Sequence, residues 1–414
     1  MSSSSGCVAA RRSAVKRQRA RLRHNPAAVT LLKTAFWASA GLLVYTHAGY
    51  PAALAALDRV RGRRAEAGAL GWAGSDGPES DAELPGVSVI VAAYAEEAVI
   101  AERVANLRAL DYPAGRLEVI VACDGSPDAT AQRAREAGAD LVLELPRGGK
   151  VRAQDAAVRH ARHEITAFSD ANVTWAPDAL RRLVQPFADP QVGYVCGQVR
   201  FVNERGTNQE GLYWRYEMAV RALESRLASV TGGNGAIYAT RRHSYIVVDP
   251  IMGHDLSFPF NMVKRGWRAV YAPGARATEK MVPSIEGEFR RKRRMMSHGW
   301  PIMVRGGMLS PRGYDPGYAA MIVSHRVLRY VSPFLHLAAL AAAVALIGQS
   351  WVYLVAVALQ AALLLAALFA RLVPLRPLLV ARYYVLTTAS LAAGLWDWLT
   401  EGTEVGWQAA EGTR

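Results

Sequence analysis

Between Val87 and Phe201 the apolar positions follow two alternating rhythms. Near-continuous apolar runs at Val87–Ala93, Leu117–Cys123, Leu141–Leu145 and Ile165–Ser169 have strand length, as does Val192–Phe201. Runs of this kind mark strands covered on both faces. Between them, apolar residues recur at helical spacing. Ile100, Val104 and Leu107 follow the first run, an Ala-rich stretch from Val151 follows the third, and Leu180, Leu183, Val184 and Phe187 follow the fourth. A further helix start is predicted near Ser126-Pro127-Asp128, with Ser126 as cap and Pro127 in the first position. Strand–helix alternation predicts an α/β fold, a mostly parallel sheet wound with helices on both faces.

The flanks read differently. Residues 34–57 contain no Asp, Glu, Lys or Arg, and neither do residues 330–370. A helix needs about 20 apolar residues to cross a bilayer, so the first run fits one span and the second fits two, turning near Gly348-Gln349-Ser350. Residues 377–399 include Arg382 and predict a tilted third span, with Asp397, Glu401 and Glu404 beyond it, or else a helix lying in the interface. The first run starts too late and is too long for a signal peptide, and is expected to be a retained anchor. The predicted order is a basic, disordered tail (1–33), a transmembrane helix (34–57), a linker (58–85) and an α/β domain (86–300). A membrane-proximal segment (301–329), two to three transmembrane or interfacial helices (330–399) and a C-terminal tail (400–414) follow.

Charge sharpens this picture. The chain carries a net +14, with eight basic residues and no acid among its first 33 positions and a second cluster at Arg290, Arg291, Lys292, Arg293 and Arg294. No helix-turn-helix, zinc-finger or RNA-binding signature accompanies them, so the clusters point to membrane lipids and the cytoplasmic face, with no nucleic-acid partner. The tail conflicts with that rule, because a single span at 34–57 below a cytoplasmic domain leaves it outside. A hairpin bending near Gly49-Tyr50-Pro51 would remove the conflict, but the expectation here is a single span with an outside tail. Cys7, Cys123 and Cys196 show neither metal-ligand spacing nor a pairing pattern, as expected of a reduced compartment.

In open α/β sheets, ligands sit at the carboxyl ends of the strands. Three polar turns fall there: Tyr94-Ala95-Glu96-Glu97, Asp124-Gly125-Ser126 and Asp170-Ala171-Asn172. Singly each is ordinary, since Asp-Gly is usually a turn and an exposed Glu is usually solvated. Three along one edge make a candidate site. Asp124 is expected to accept hydrogen bonds from a base or ribose, while Asp170 and Asn172 offer hard oxygens to a divalent cation that also holds a diphosphate. The small-residue segment Gly232–Tyr238 suits close ligand approach. Asp255 alone reads as a first-turn helix acid. Trp300, Trp214 and Tyr213 offer stacking surfaces for sugar rings, or else serve as core or interface anchors.

In order and spacing, these segments resemble family 2 glycosyltransferases over about Val87 to Trp300. Val87–Glu97 resembles the family's V-S-V-I-I-P-A-Y-N-E-E, with Ala92 for Pro and Ala95 for Asn. Residues 122–130 resemble D-D-G-S-x-D-x-T, with Cys123 for one Asp, and Gly148-Gly149-Lys150 match the G-G-K loop. Asp170-Ala171-Asn172 stands at D-x-D, and His254-Asp255 at E-D or D-D. The basic run resembles Q/R-x-x-R-W, with Arg291 and Arg294 in the arginine places and Met295 for Trp.

The resemblance implies a GT-A catalytic domain, Rossmann-like and mostly parallel, with flanking transmembrane helices, as in synthases of the cellulose, hyaluronan and poly-N-acetylglucosamine type. It implies inverting transfer from a nucleotide diphosphate sugar, most commonly a UDP-sugar, with Asp255 as base and Mg²⁺ or Mn²⁺ at Asp170 and Asn172. Substrate contacts are expected from Ala93, Tyr94, Glu96, Asp124, Lys150, Asp170, Gly235, Arg291, Arg294 and Trp300. The acceptor would be a growing glycan or, alternatively, a lipid carrier receiving one sugar. Nucleotide sugars place the domain in the cytoplasm of a multi-pass cell-membrane protein. Neutral Asn172 weakens the metal site, and Met295 removes an aromatic that shapes the acceptor entrance in processive synthases. A glycoside hydrolase also uses paired carboxylates but needs neither nucleotide pocket nor basic cluster. An inactive membrane scaffold is the remaining rival.

Overall fold

The computed structural model describes residues 25–65, 81, 84–202, 210–282 and 284–405, which fall into two compact units. The larger takes Pro51–Val327 together with the chain from Ala389 onward.

Its centre is a sheet of eight described strands: β1 Val87–Ala93, β2 Leu117–Asp124, β3 Leu141–Leu145, β4 Ile165–Asp170, β5 Val173–Trp175, β6 Val192–Val202, β7 Tyr238–Arg241 and β8 Arg268–Lys280. Their order is β3-β2-β1-β4-β7-β6-β8-β5. The first four strands in that order are parallel, β7 runs antiparallel to β4 and β6, β6 and β8 are parallel, and β5 closes the edge antiparallel to β8. The sheet is mixed but mostly parallel. Strands β1 and β2 explain why unbroken apolar runs were needed. Val87, Val89, Val91, Val119 and Val121 enter the core on one face, and Ile90, Ala92, Ile120 and Ala122 enter the core on the other.

Register fixes where chemistry can sit. Ala93 pairs with Cys123, Ala92 with Asp170, and Asp124 with Leu145, so the turns after β1, β2, β3 and β4 share one edge. The order 3-2-1-4 makes the gap between β1 and β4 a topological switch point, where such sheets bind ligands.

One predicted helix start moves. The helix after β2 begins at Thr130, not at Ser126, because Ser126 and Asp128 are spent on the neighbouring turn described below.

In the smaller unit, the first helix starts at Pro26, capped by Asn25, whose Oδ1 accepts from the Ala28 amide at 3.1 Å. Lys33 therefore lies inside a helix whose first span was read from residue 34. No hairpin forms at Gly49-Tyr50-Pro51. Residues Tyr45–Gly49 form a π-helical turn, and helix resumes over Tyr50–Ala65. Pro51 lacks the amide that would reach the His47 carbonyl, and the widened turn absorbs that loss. Helices Leu328–Leu346 and Trp351–Phe369 follow, the second capped by Ser350, and Arg376–Thr400 enters this unit over its first half. Phe36 packs among Ala339, Ala342, Ala343, Leu346 and Tyr353, where small residues let helices approach closely. The Tyr384 hydroxyl lies 2.8 Å from His336 Nε2 and 3.3 Å from His47 Nε2. By length and composition, four described helices suit membrane crossing: Pro26–Arg61, Pro316–Leu346, Trp351–Phe369 and Arg376–Thr400.

Candidate active site

The turns after β1 and β2 are stitched together. Three successive amides after β1 are each capped by a side chain from the segment after β2. Ala95 N–H donates to Ser126 Oγ at 2.8 Å, Glu96 N–H to Thr130 Oγ1 at 2.9 Å, and Glu97 N–H to Asp128 Oδ2 at 3.1 Å. Glu97 answers by accepting from the Ala129 amide at 3.1 Å. The D-G-S-x-D-x-T pattern thus sets the shape of the turn carrying Tyr94 and Glu96, and Glu96 ends up buried.

Asp124, buried at the end of β2, holds the loop after β3. Its carboxylate accepts from the Gly148 amide at 2.6 Å and the Gly149 amide at 2.9 Å, and pairs with Arg147 at 2.5 Å. Gly149 takes φ +92°, a conformation open almost only to glycine. The Arg147 guanidinium lies 3.4 Å above the Tyr94 ring. Asp124 is expected to contact a base or ribose; here both its oxygens face the protein, which gives it a structural role. Arg147, which the sequence reading passed over, joins Tyr94 to Asp124.

The same loop delivers Lys150 to Asp170. The two form an ion pair, both partly buried, and a Cβ on Gly235 would lie 3.4 Å from Lys150 Nζ and 3.8 Å from Asp170 Oδ2. The glycine leaves a cradle over this pair. Asn172 follows Asp170 at half-burial.

Asp255 lies in the first turn of the His254–Lys264 helix. Beside it, the buried His254 ring accepts or donates at 2.8 Å with the Tyr238 hydroxyl through Nδ1, and among the described residues its Nε2 has no hydrogen-bond partner. Burial, with the Lys150 charge adding, pushes the His254 pKa down to about 3, so the ring is neutral. Burial raises the Tyr238 hydroxyl well above its ordinary value, and the charges of Asp170 and Asp255 both add to the shift. One buried phenol thus senses both carboxylates.

Other expected contributors sit differently. Trp300 is buried, and its Nε1 donates to the Leu391 carbonyl at 2.9 Å, tying the Ile285–Val304 helix to the last helix; it is no stacking surface. Trp214 likewise donates to the Val199 carbonyl at 2.6 Å against Phe201. Arg291 makes a two-bond pair with buried Glu288, each bond 2.8 Å. Burial alone would raise the Glu288 carboxyl, but the Lys292 and Arg291 charges outweigh it and hold it low. Arg294 makes no side-chain hydrogen bond or ion pair among the described residues, and its pKa is lowered by desolvation and by Arg291. Asp397, expected beyond a third span, is ion-paired at 2.6 Å with Arg293, and both belong to the larger unit. The free thiols of Cys123 and Cys196 are buried, which raises each pKa to about 11 and leaves them inert.

A mixed, mostly parallel sheet with carboxylates and a lysine gathered at its switch point is the arrangement of a GT-A sugar-transfer domain. The family model described as "Glycosyltransferase like family 2" matches residues 85–298, just over half of the chain, and the chain belongs to that family. It is similar to an N-acetylglucosaminyltransferase of Mesorhizobium japonicum, at 30% identity over 53% of this chain and 56% of the relative. It is also similar to a poly-beta-1,6-N-acetyl-D-glucosamine synthase of Staphylococcus aureus, at 23% identity over 54% of this chain and 57% of the relative. The matches thus span only about half the length of these curated relatives. Among solved structures, a mannosyltransferase from Pyrobaculum calidifontis in complex with GDP-Man and Mn²⁺ shares the fold, with a TM-score of 0.62 and 24% identity over 90% of this chain and 98% of that one.

Proposed function

We propose that this glycosyltransferase moves a sugar, with inversion, from a nucleotide diphosphate sugar to a growing glycan at a membrane, with Asp255 as the base. The observation that carries this reading is the Lys150–Asp170 pair beneath Gly235, with Tyr238 of the neighbouring strand hydrogen-bonded to His254, the residue before Asp255. The acceptor hydroxyl attacks the anomeric carbon, its proton passes to the Asp255 carboxylate, and the nucleotide diphosphate departs from the opposite face. Lys150, paired with Asp170, would follow the leaving diphosphate. Arg294, a desolvated cation repelled by Arg291, gains from an approaching anion.

The residues present fit a divalent cation. Asp170 already faces one positive group, the Lys150 ammonium, beneath a glycine cradle, and Asn172 adds a hard oxygen. Asp170 and Asn172 would hold Mg²⁺ or Mn²⁺, which when bound offsets the charge of the diphosphate. The names of the relatives favour an N-acetylhexosamine donor, and UDP is the leaving group expected with it. The four apolar helices support a multi-pass membrane protein with its catalytic domain in the cytoplasm, where nucleotide sugars occur.

The test is a screen of purified protein against labelled nucleotide sugars with Mg²⁺ or Mn²⁺, followed by product sizing. Transfer from a UDP-N-acetylhexosamine is expected, reduced at least about a hundredfold by Asp255→Ala or Asp170→Ala in folded protein. Transfer from a GDP-sugar alone would overturn the donor class, and undiminished turnover in Asp255→Ala would overturn the base.

A further inference from the structure

A proline interrupts the helix that carries the proposed base. Pro259 lies inside His254–Lys264, so the amide that a helix directs at the carbonyl four residues earlier, that of Asp255, is missing. Gly233 supplies the replacement, donating its N–H to the Asp255 carbonyl at 2.6 Å. The position of the base therefore depends on a loop from another part of the chain.

That loop is anchored by buried charge for which the reaction has no direct use. Glu224 is fully buried in the Glu210–Leu227 helix and accepts from the Thr231 amide at 3.0 Å and the Thr231 hydroxyl at 3.0 Å. His325 Nδ1 lies 2.6 Å from the same carboxylate, and His325 Nε2 lies 3.4 Å from Glu217. Arg326 Nε donates to Thr231 Oγ1 at 3.0 Å, and Arg221 donates to the Gly233 carbonyl at 2.8 Å. A buried carboxylate is costly unless every lone pair finds a partner, and here the partners converge on Thr231.

We propose that Glu224, held by His325, is a positioning residue: it fixes Thr231, hence Gly233, hence the first turn that aims Asp255. This rests on the transferase reading above. The donor side of the loop is fixed separately, because Asn234 donates to the Gly197 carbonyl at 2.6 Å and accepts from the Ile237 amide at 2.9 Å. Gly235 therefore keeps its place over Lys150 and Asp170 when Thr231 is released, and loss of Glu224 acts on turnover more than on donor binding.

The experiment uses full-length protein in detergent and two variants, Glu224→Gln and the milder Thr231→Val, which removes only the shared hydroxyl. Amide hydrogen exchange over residues 230–236 is expected to rise at least tenfold in Glu224→Gln and to a lesser extent in Thr231→Val. Turnover is expected to fall about tenfold in Glu224→Gln with donor KM within threefold of the parent. Adding Pro259→Ala restores the helix's own amide to the Asp255 carbonyl and is expected to recover part of the lost kcat. Unchanged exchange over 230–236 in both variants overturns the proposal, as does a parallel rise in exchange across the whole larger unit. An equal loss of kcat and donor affinity, or no recovery on adding Pro259→Ala, also overturns it. If the parent enzyme transfers no sugar, the transferase reading fails, while the exchange result still decides whether Glu224 holds the loop.

Discussion

Ala95 adopts φ +52°, a left-handed conformation that costs an L-residue other than Asn, Asp or Gly about 1 kcal/mol. Its amide is fixed there by Ser126, so the strain is imposed by the stitched turns. Ala95→Asn should keep that bond and raise stability by up to about 1 kcal/mol, read as an upward shift in melting temperature. His254 gives a pH signature. Its folded pKa of about 3 lies below the unfolded 6.5, so its contribution is complete above pH 6.5 and is lost as pH falls toward 3. Between pH 7 and pH 5 that loss is about 2 kcal/mol. Melts of His254→Asn over the same interval should therefore show a shallower decline than the parent, and identical slopes would place the parent's pH dependence elsewhere. At this scale the sequence announces residue types better than their employment. Asp124 and Asp170 stand out at the ends of strand-like runs, and Asp255 only through the family resemblance. That Ser126 and Thr130 cap a neighbouring turn, or that Trp300 is enclosed, depends on partners remote in the chain. Glu224 and His325, 101 residues apart, carry no local signal at all.

At the scale of elements, strands β1 to β4 and β6 were legible because both faces are buried and the apolar runs are unbroken. Strands β5, β7 and β8 were not. β5 is three residues long, β7 follows a glycine-rich segment, and β8 contains Pro273 and Gly274 with exposed residues interspersed among buried ones. The G-G-K loop shows an element whose form is fixed from outside it. Gly149→Ala would combine a forbidden φ with overlap of the Val405 carbonyl, and would pull an amide away from Asp124. We expect it to weaken nucleotide diphosphate binding at least tenfold by calorimetry. Gly138→Ala, also at positive φ (+87°) but in open space, serves as the control and should lower stability alone. Equal binding by the two variants would remove the loop from the donor site.

At the scale of the molecule, parity constrains topology. Arg293 and Trp300 belong to the same unit as their partners Asp397 and Leu391, so in a membrane we expect residues 328–388 to cross an even number of times. Leu328–Leu346 and Trp351–Phe369 would supply two crossings. Arg376–Thr400, the least hydropathic of the four candidates, is then expected to lie along the membrane surface. Single cysteines at Gln349 should be labelled by an impermeant reagent in intact cells, and at Glu401 should be protected; labelling at Glu401 would refute this path. Ser3 is expected to label from outside, since one helix separates the basic tail from the domain. The return of the chain to its own catalytic unit also sets an order of assembly. Trp300, Ser297 and Arg293 wait for Leu391, Thr403 and Asp397, residues about a hundred positions later in synthesis. While the ribosome is still producing the intervening helices, the Ile285–Val304 helix has an indole and a guanidinium without their final partners. The larger unit thus gains these three contacts only once the stretch from Leu391 to Thr403 has been made.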